Sequence, residues 1–223
     1  MNEPAVNNRQ TEADKVYAEL HQAIVRGELL PTQRLVELDL AKQLGVGRAA
    51  IRTALDRVVH DGLVEHEPNR GAHVRLVTVE EAVEMFEARA VLEGLALRYT
   101  ALNATDGEIS ELQAMIAQME ACFAAGDLLS ISNINAQLHA AMLRIANHQT
   151  VNRLLERLQA YHVRFQYRMI LVPGRATYSL QEHRVIVEAV AAHDPDAAEI
   201  AMRRHLSHSA AALHQSSRLS AAS

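Results

Sequence analysis

The N-terminal fold is decided by residues 37–60, which read ELDLAKQLGVGRAAIRTALDRVVH. Apolar residues recur at helical spacing on both sides of the turn at 45–47, so this stretch predicts two short helices, 37–44 and 48–60. Two short helices joined by a glycine-containing turn are typical of a helix-turn-helix, whose second helix enters the major groove of DNA.

The flanking segments complete a small domain around these two helices. Residues 11–26 have the apolar periodicity of a further helix, and two extended pieces at 63–66 and 72–77 predict a hairpin with a polar tip. The segment 11–77 is therefore predicted to be a winged helix-turn-helix, and residues 1–10 a flexible tail.

The composition changes near Thr78, beyond which only helices are predicted. Thr78 and Glu81 have the spacing of a capping box ahead of an apolar run. Turn and capping residues divide the remainder into six helices, at 78–102, 105–125, 127–146, 150–171, 177–192 and 195–216. The predicted fold is mostly α: an N-terminal winged helix-turn-helix and a C-terminal all-α six-helix bundle over 78–216, followed by a tail at 217–223.

Composition agrees with this division and excludes several classes of protein. A chain of 223 residues is long enough for two domains, and 4% aromatic residues, nine Gly and five Pro favour long helices over sheets. No stretch approaches about 18 apolar residues, so no membrane partner is expected. A single cysteine, Cys122, indicates a cytoplasmic protein without internal disulfides.

The charge pattern is ambiguous about nucleic acid. The formal net charge is −5, but residues 42–57 hold four basic residues against one acidic residue. Arg48 and Arg52 share one face at the start of the second helix, where a guanidinium can reach guanine or phosphate. The alternative is that these basic residues form a solvent-exposed helix face and that the helices and hairpin are a purely structural unit. The predicted DNA contacts are Arg48, Ala49, Arg52, Arg57, Arg70 and Gly71.

The segment 11–77 also carries a specific order of residues: Tyr17, Ile24-x-x-Gly27, Pro31, Leu35-x-Glu37-x-x-Leu40-Ala41-x-x-Leu44-Gly45-Val46-x-Arg48-x-x-Ile51-Arg52-x-Ala54-Leu55, Gly62-Leu63-Val64 and Asn69-Arg70-Gly71-Ala72-x-Val74. This order resembles the winged helix of the GntR superfamily. The resemblance implies binding to double-stranded operator DNA. Gly47 departs from the family's usual Ser or Thr, Ala49-Ala50 from its Thr-Pro or Thr-Thr, and Leu38 from an arginine found in some members.

Histidines form a second candidate site in the bundle. Asn135 and His139 lie four residues apart on one helix, while His183 and His205 lie on later helices. Side chains from facing helices can meet inside a bundle, and neutral imidazole suits zinc, nickel or other divalent transition metals. Most triples drawn from twelve histidines never meet, so spacing alone leaves the metal site open.

Residues 78–216 resemble the FCD ligand-binding domain of FadR-type GntR regulators. The resemblance is carried by Arg89-x-x-Leu92-Glu93, Asn135-x-x-Leu138-His139, Ala146-Asn147, Glu182-His183-x-x-Ile186-x-x-Ala189 and Asp196-x-Ala198-x-x-Ala201-Met202-x-x-His205-Leu206. It implies a divalent metal ion, zinc first with nickel or manganese as alternatives, on Asn135, His139, His183 and His205. The first ligand is commonly Asp in the family, and Leu138 replaces its Phe.

Arg89 is a candidate for effector binding because it lies among apolar residues in mid-helix. A buried arginine needs a partner, which is either Glu93 at i+4 or the carboxylate of a ligand. Tyr161 and Arg164 are further candidates for a polar pocket. An arginine beside a metal suits a small organic acid or sugar acid, and the family resemblance implies the same.

Three functions are compatible with these features. The first is a metabolite-responsive transcription regulator that acts as a homodimer on a two-fold operator. The second is a regulator for which the metal itself is the signal. The third, a helical metalloenzyme, lacks a nucleophile–base pair in the sequence, and its one obvious carboxylate, Glu182, points away from the His183 face. The sequence therefore predicts a regulator and not an enzyme.

Overall fold

The computed structural model describes residues 11–67, 71–156, 158, 172 and 174–221. The chain divides into two compact units, Met1–Leu76 and Val77–Ser223. The predicted mostly α fold, with an N-terminal helix-turn-helix and a C-terminal helical domain, is confirmed.

The first unit contains three helices and a small sheet: α1 (Glu12–Val25), β1 (Arg34–Leu35), α2 (Glu37–Leu44), α3 (Arg48–His60), β2 (Val64–Glu67) and β3 (Gly71–Val74). Gly45 ends α2 with φ 66°, a left-handed conformation that favours glycine. The sheet has the order β1-β3-β2, and both pairs are antiparallel. Strand β1 was not predicted, because two residues are too few to show an alternating pattern.

Apolar side chains of α1, α3 and β3 form the core of this unit. Ile24, Ile51, Val58 and Val74 are each fully buried. Their burial fixes α3 by its apolar face, so the opposite face of α3 is left to the solvent.

The described residues of the second unit form six helices: α4 (Val79–Asn103), α5 (Asp106–Ala124), α6 (Leu128–Ala146), α7 (described at 149–156), α8 (Arg175–Ala191) and α9 (Pro195–Ala221). Thr78 caps α4, since its side chain accepts a hydrogen bond from the Glu81 amide. The prediction that α9 ends at 216 and is followed by a tail is wrong. The helix continues to Ala221, because residues 217–221 contain neither Gly nor Pro to stop it.

Helix α4 packs against α6, α8 and α9, so the helices that carry the predicted site residues lie together. The Thr100 hydroxyl of α4 donates to the Met142 carbonyl of α6 at 2.8 Å, and Leu97, Leu138 and Met202 are fully buried. Within the described ranges, no helix combines the length and the hydrophobicity needed to cross a membrane.

Candidate functional site

Three histidines meet in the interior of the second unit. His139 of α6, His183 of α8 and His205 of α9 each offer a ligand atom within 4.8 Å of the other two. The Nε2 atoms of His139 and His183 are 3.1 Å apart, and the rings of His183 and His205 are 4.3 Å apart between centroids. The structure thus brings together three imidazoles that the sequence distributes over 67 residues.

Each of these rings has its Nδ1 atom next to an oxygen of the protein. His139 Nδ1 lies 2.8 Å from Glu93 Oε2, and His205 Nδ1 lies 2.8 Å from an oxygen of Glu182. A carboxylate accepts, so the proton of each ring is held at Nδ1 and the Nε2 lone pair is left free. His183 Nδ1 is 3.4 Å from the Ser179 hydroxyl. This arrangement presents Nε2 atoms to the interior, as metal coordination requires.

Two arginines hold the carboxylates in place. Arg89 Nε donates to Glu93 Oε1 at 2.7 Å, and Arg175 donates to Glu182 Oε2 at 2.8 Å. Burial raises the pKa of Glu93, but the charge of Arg89 and the hydrogen bonds from His139 and Arg89 outweigh burial and hold that pKa well below its usual range. Glu93 is therefore an ionised acceptor at neutral pH, which fixes the direction of its hydrogen bond with His139.

The electrostatics favour neutral imidazoles at this site. Burial, followed by the neighbouring histidines, lowers the pKa of His183 well below its ordinary value. Burial, followed by His139 and Arg175, does the same for His205. A neutral imidazole is the form that binds a metal ion, so the nitrogen donors of His183 and His205 are available without first losing a proton.

A cavity of about 70 Å³ adjoins the histidines. Asn135, His139 and His205 line it together with Arg89 and Arg175. Arg89 is 7% exposed, and its NH1 atom has no hydrogen-bond partner among the described residues. An unpartnered buried donor is costly, so the wall of the cavity offers an unused guanidinium nitrogen to an acceptor. Both partners foreseen for Arg89 are thus compatible with its position: Glu93 takes one edge and the other is open.

Three of the predicted site residues, Tyr161, Arg164 and Arg70, lie outside the described residues. The structure also shows residues at the site that the sequence analysis did not foresee. Glu182 was expected to point away from the His183 face, and its contact with His205 on α9 was not foreseen. Arg175 was missed altogether, although it lies seven residues, or two helical turns, before Glu182 on α8.

The predicted DNA contacts of α3 divide into two groups. Arg48, Ala49 and Arg52 are exposed at its N-terminal end, with side-chain exposures of 62% for Arg48 and 64% for Arg52. Arg57 lies further along, where NH1 donates to Asp14 at 2.7 Å and the guanidinium covers the ring of Tyr17. These contacts give Arg57 a role in joining α3 to α1.

Gly71 begins strand β3 with φ 79°, a conformation that favours glycine. Gly47 precedes α3 at the N-cap position, where no side chain caps the helix.

Family models match both units of the chain. The FCD domain matches residues 84–208, and the model of bacterial regulatory proteins of the gntR family matches residues 12–74. This chain belongs to the GntR family and carries an FCD domain. It is a transcriptional regulator with a DNA-binding GntR domain and an FCD effector domain, and it is not an enzyme.

Individual relatives agree with this assignment. The chain is 28% identical over 195 residues to the uncharacterized HTH-type transcriptional regulator YdhC of Bacillus subtilis, covering 86% of each protein. It is 24% identical over 204 residues to the HTH-type transcriptional repressor RspR of Escherichia coli, covering 92% of this chain and 90% of that protein. Among solved structures, Escherichia coli McbR/YncC has a similar fold, with a TM-score of 0.75 at 22% identity over 92% of this chain and 98% of that one.

Proposed function

We propose that this regulator acts in the cytoplasm as a homodimer that binds a two-fold operator and responds to a small carboxylic or sugar acid. In this proposal the FCD domain holds a divalent metal ion beside the effector. The observation that carries the proposal is the meeting of three imidazoles, two buried and that of His139 partly buried, beside a cavity that is lined by an unpartnered arginine nitrogen.

The residues that would hold the metal are His139, His183 and His205, with the Asn135 oxygen as a fourth ligand. The donor set fits: three nitrogen ligands and an oxygen suit zinc, with nickel or manganese as alternatives, and outer carboxylates already orient two of the rings. A bound metal would supply an electrophilic centre for an anionic ligand. It carries no reaction in a regulator, so its role is recognition.

Metal content is tested on protein purified without an affinity tag or chelator. Elemental analysis should find close to one equivalent of a transition metal, and a His183→Ala/His205→Ala variant should retain none. Less than about a tenth of an equivalent in the wild type after soaking in zinc would contradict the metal site, because a site of three imidazoles binds zinc firmly at neutral pH.

The cavity supports a small acidic effector. Pockets for drug-sized ligands are typically about 300–1,000 Å³, so 70 Å³ favours a ligand of few heavy atoms. Arg89 NH1 can donate to one carboxylate oxygen while Nε stays with Glu93. One relative, 27% identical, is named a putative L-lactate dehydrogenase operon regulatory protein of Escherichia coli, and lactate is a small carboxylic acid.

Calorimetric titration of the zinc-loaded protein with L-lactate, D-gluconate and citrate tests this proposal. Arg89→Lys keeps a positive charge beside Glu93 but removes the free guanidinium nitrogen, so it should weaken binding of the acid that the wild type binds. Asn135→Asp adds an anionic ligand to the metal and should also weaken it. Arg98→Lys, on the same helix but half-exposed, is the matched control. Wild-type affinity in folded Arg89→Lys would exclude the contact.

The small cavity also favours a second candidate, in which the metal itself is the signal. The two candidate functions are distinguished by measuring operator affinity at a fixed, saturating zinc concentration. An acid that shifts operator affinity under that condition supports the metabolite-responsive regulator, whereas a response to zinc alone supports the metal sensor.

The proposed homodimer is supported by apolar side chains left exposed on α4. Val91 and Leu102 are 53% and 58% exposed, and they lie three helical turns apart on one face. Such an apolar face is what a second copy of the chain would cover. Light scattering after size-exclusion chromatography should give twice the chain mass of 24.6 kDa, and Val91→Glu/Leu102→Glu should shift it towards the monomer.

A further inference from the structure

Glu37, the first residue of α2, lies between the two exposed arginines at the start of α3. Its Oε1 atom accepts from Arg52 Nε at 3.1 Å, and its Oε2 atom accepts from Arg52 NH2 at 3.0 Å. Oε2 also accepts from Arg48 NH2 at 3.2 Å. One carboxylate thus joins the side chains that are the foremost candidates for DNA contact.

We propose that Glu37 is a positioning residue that determines the DNA specificity of this domain by holding Arg52 in place and leaving most donors of Arg48 available to the bases. The inference rests on the proposed role of Arg48 and Arg52 as DNA contacts. It assigns the two arginines different tasks, although their spacing and exposure make them look equivalent.

The geometry explains the difference between the arginines. Glu37 occupies the Nε and NH2 edge of Arg52, one of the edges with which a guanidinium grips guanine or a phosphate. Among the described residues, the bonds to Glu37 engage a single nitrogen of Arg48. Arg48 therefore keeps the larger set of donors for DNA, while Arg52 presents NH1 from a fixed guanidinium.

The charge of this group matters as well. Two arginines and one carboxylate sum to +1, so Glu37 halves the positive charge that the arginines would otherwise offer to phosphates. Sequence-independent affinity comes mainly from such charges, whereas discrimination needs donors at fixed positions. Glu37 is therefore expected to lower binding to arbitrary DNA and to raise discrimination.

The alternative is that Glu37 only stabilises the start of α2, where negative charge is favourable. Asp39 lies in the same first turn and is exposed, which makes it a matched control. Asp39→Asn removes the same charge from the same turn. A purely structural or long-range electrostatic role would thus affect both variants alike.

The experiment compares Glu37→Gln and Asp39→Asn with the wild type on two duplexes. One is the duplex that the wild-type protein enriches from a random 30-base-pair library, and the other is its scrambled counterpart. Glu37→Gln should bind the scrambled duplex more tightly and lower the ratio of selected to scrambled affinity by about 10-fold, since one defined base contact is worth roughly that factor. The plot of log affinity against log salt should steepen by about 1. Asp39→Asn should leave the ratio within about threefold of the wild type.

Further variants make each outcome decisive. If Glu37 acts through Arg52, Glu37→Gln should not lower the ratio further in an Arg52→Ala background. An unchanged ratio in folded Glu37→Gln, while Arg48→Ala loses the selected duplex, overturns this inference and leaves the DNA contacts standing. Unchanged binding in both Arg48→Ala and Arg52→Ala overturns the contacts and the inference together. Circular dichroism confirms folding in every case.

Discussion

The hydrogen bond between Glu93 and His139 allows a sharp prediction for Glu93→Gln. Glu93 is 2% exposed and accepts from Arg89 on one oxygen and from His139 on the other. A glutamine of the same shape keeps one oxygen, which Arg89 must take because a guanidinium has only donors. The amide NH2 then faces His139 Nδ1, which must become an acceptor. The ring proton moves to Nε2, the atom that would otherwise bind the metal.

Two effects of different size follow from this change. Losing the outer carboxylate should weaken metal binding by about 10–100-fold, or roughly 1.4–2.7 kcal/mol. Arg89, which is only 7% exposed, also loses its counter-charge, which should lower the free energy of unfolding by about 3–5 kcal/mol. The double variant Arg89→Met/Glu93→Gln removes the unpaired charge and should recover most of that stability. Without Arg89 the glutamine can turn its oxygen towards His139 Nδ1, so part of the zinc affinity should return as well.

The assay is a competition titration in which the protein and a chromophoric chelator compete for zinc at pH 7.4. Thermal unfolding with and without EDTA reports stability in parallel. Glu87→Gln, exposed on the same helix, is the matched control and should behave as wild type. Wild-type zinc affinity in folded Glu93→Gln would refute the tautomer argument, as would a double variant that binds zinc no better than Glu93→Gln. A wild-type protein that binds no zinc would refute the metal site.

Three further perturbations test other parts of the structure. The metal-free protein should lose stability as pH falls below about 6.5, because the pKa values of His183 and His205 are lowered in the folded state and the unfolded chain therefore binds more protons. The limiting slope of the free energy of unfolding is about 1.4 kcal/mol per pH unit for each histidine. A free energy of unfolding, measured in urea, that stays constant between pH 7.5 and 5.5 would contradict this. Gly47→Ser should raise the stability of the first unit by about 0.5–1 kcal/mol, since φ −70° suits serine and nothing lies within 4 Å of an added Cβ. Gly47→Ala is the control without the hydroxyl. If urea denaturation shows no gain in stability for either variant, a missing N-cap does not limit the stability of α3. Thr100→Val should lower the stability of the second unit by about 1–2 kcal/mol, because the hydroxyl that joins α4 to α6 is fully buried. If chemical denaturation shows no change, the hydrogen bond from Thr100 to the Met142 carbonyl does not contribute to stability.

Local signals explain which elements of the fold could be predicted. Helices α2 and α3 have the predicted bounds because Gly45 and the apolar periodicity act within a few residues. Strand β1 depends on its pairing with β3, as Arg34 lies opposite His73 and Leu35 opposite Ala72. That pairing is set by tertiary structure, and a segment of two residues contains no pattern from which it could be predicted.

The candidate site was predictable only in part, for a related reason. His139, His183 and His205 were singled out by family resemblance, since spacing alone cannot tell which histidines meet. Glu182 lies about 100° around α8 from His183, so periodicity directs it away from that ring. The packing of α9 against α8 places His205 next to Glu182. The position of a neighbouring helix cannot be predicted from the sequence pattern of α8 alone.

The charges around the histidines decide what the site can recognise. Arg89 and Glu93 cancel, as do Arg175 and Glu182, so the four side chains add no net charge to the cavity. A metal ion held by three neutral imidazoles and an amide would therefore keep its double positive charge, and an anion entering the cavity would neutralise it. Any such anion that lowers operator affinity tenfold must itself bind tenfold more weakly to the operator complex, about 1.4 kcal/mol in each direction. That free energy has to come from contacts that differ between the two states. Arg89 and Glu93 are well placed to supply it, because both lie on α4, which begins five residues after β3 ends.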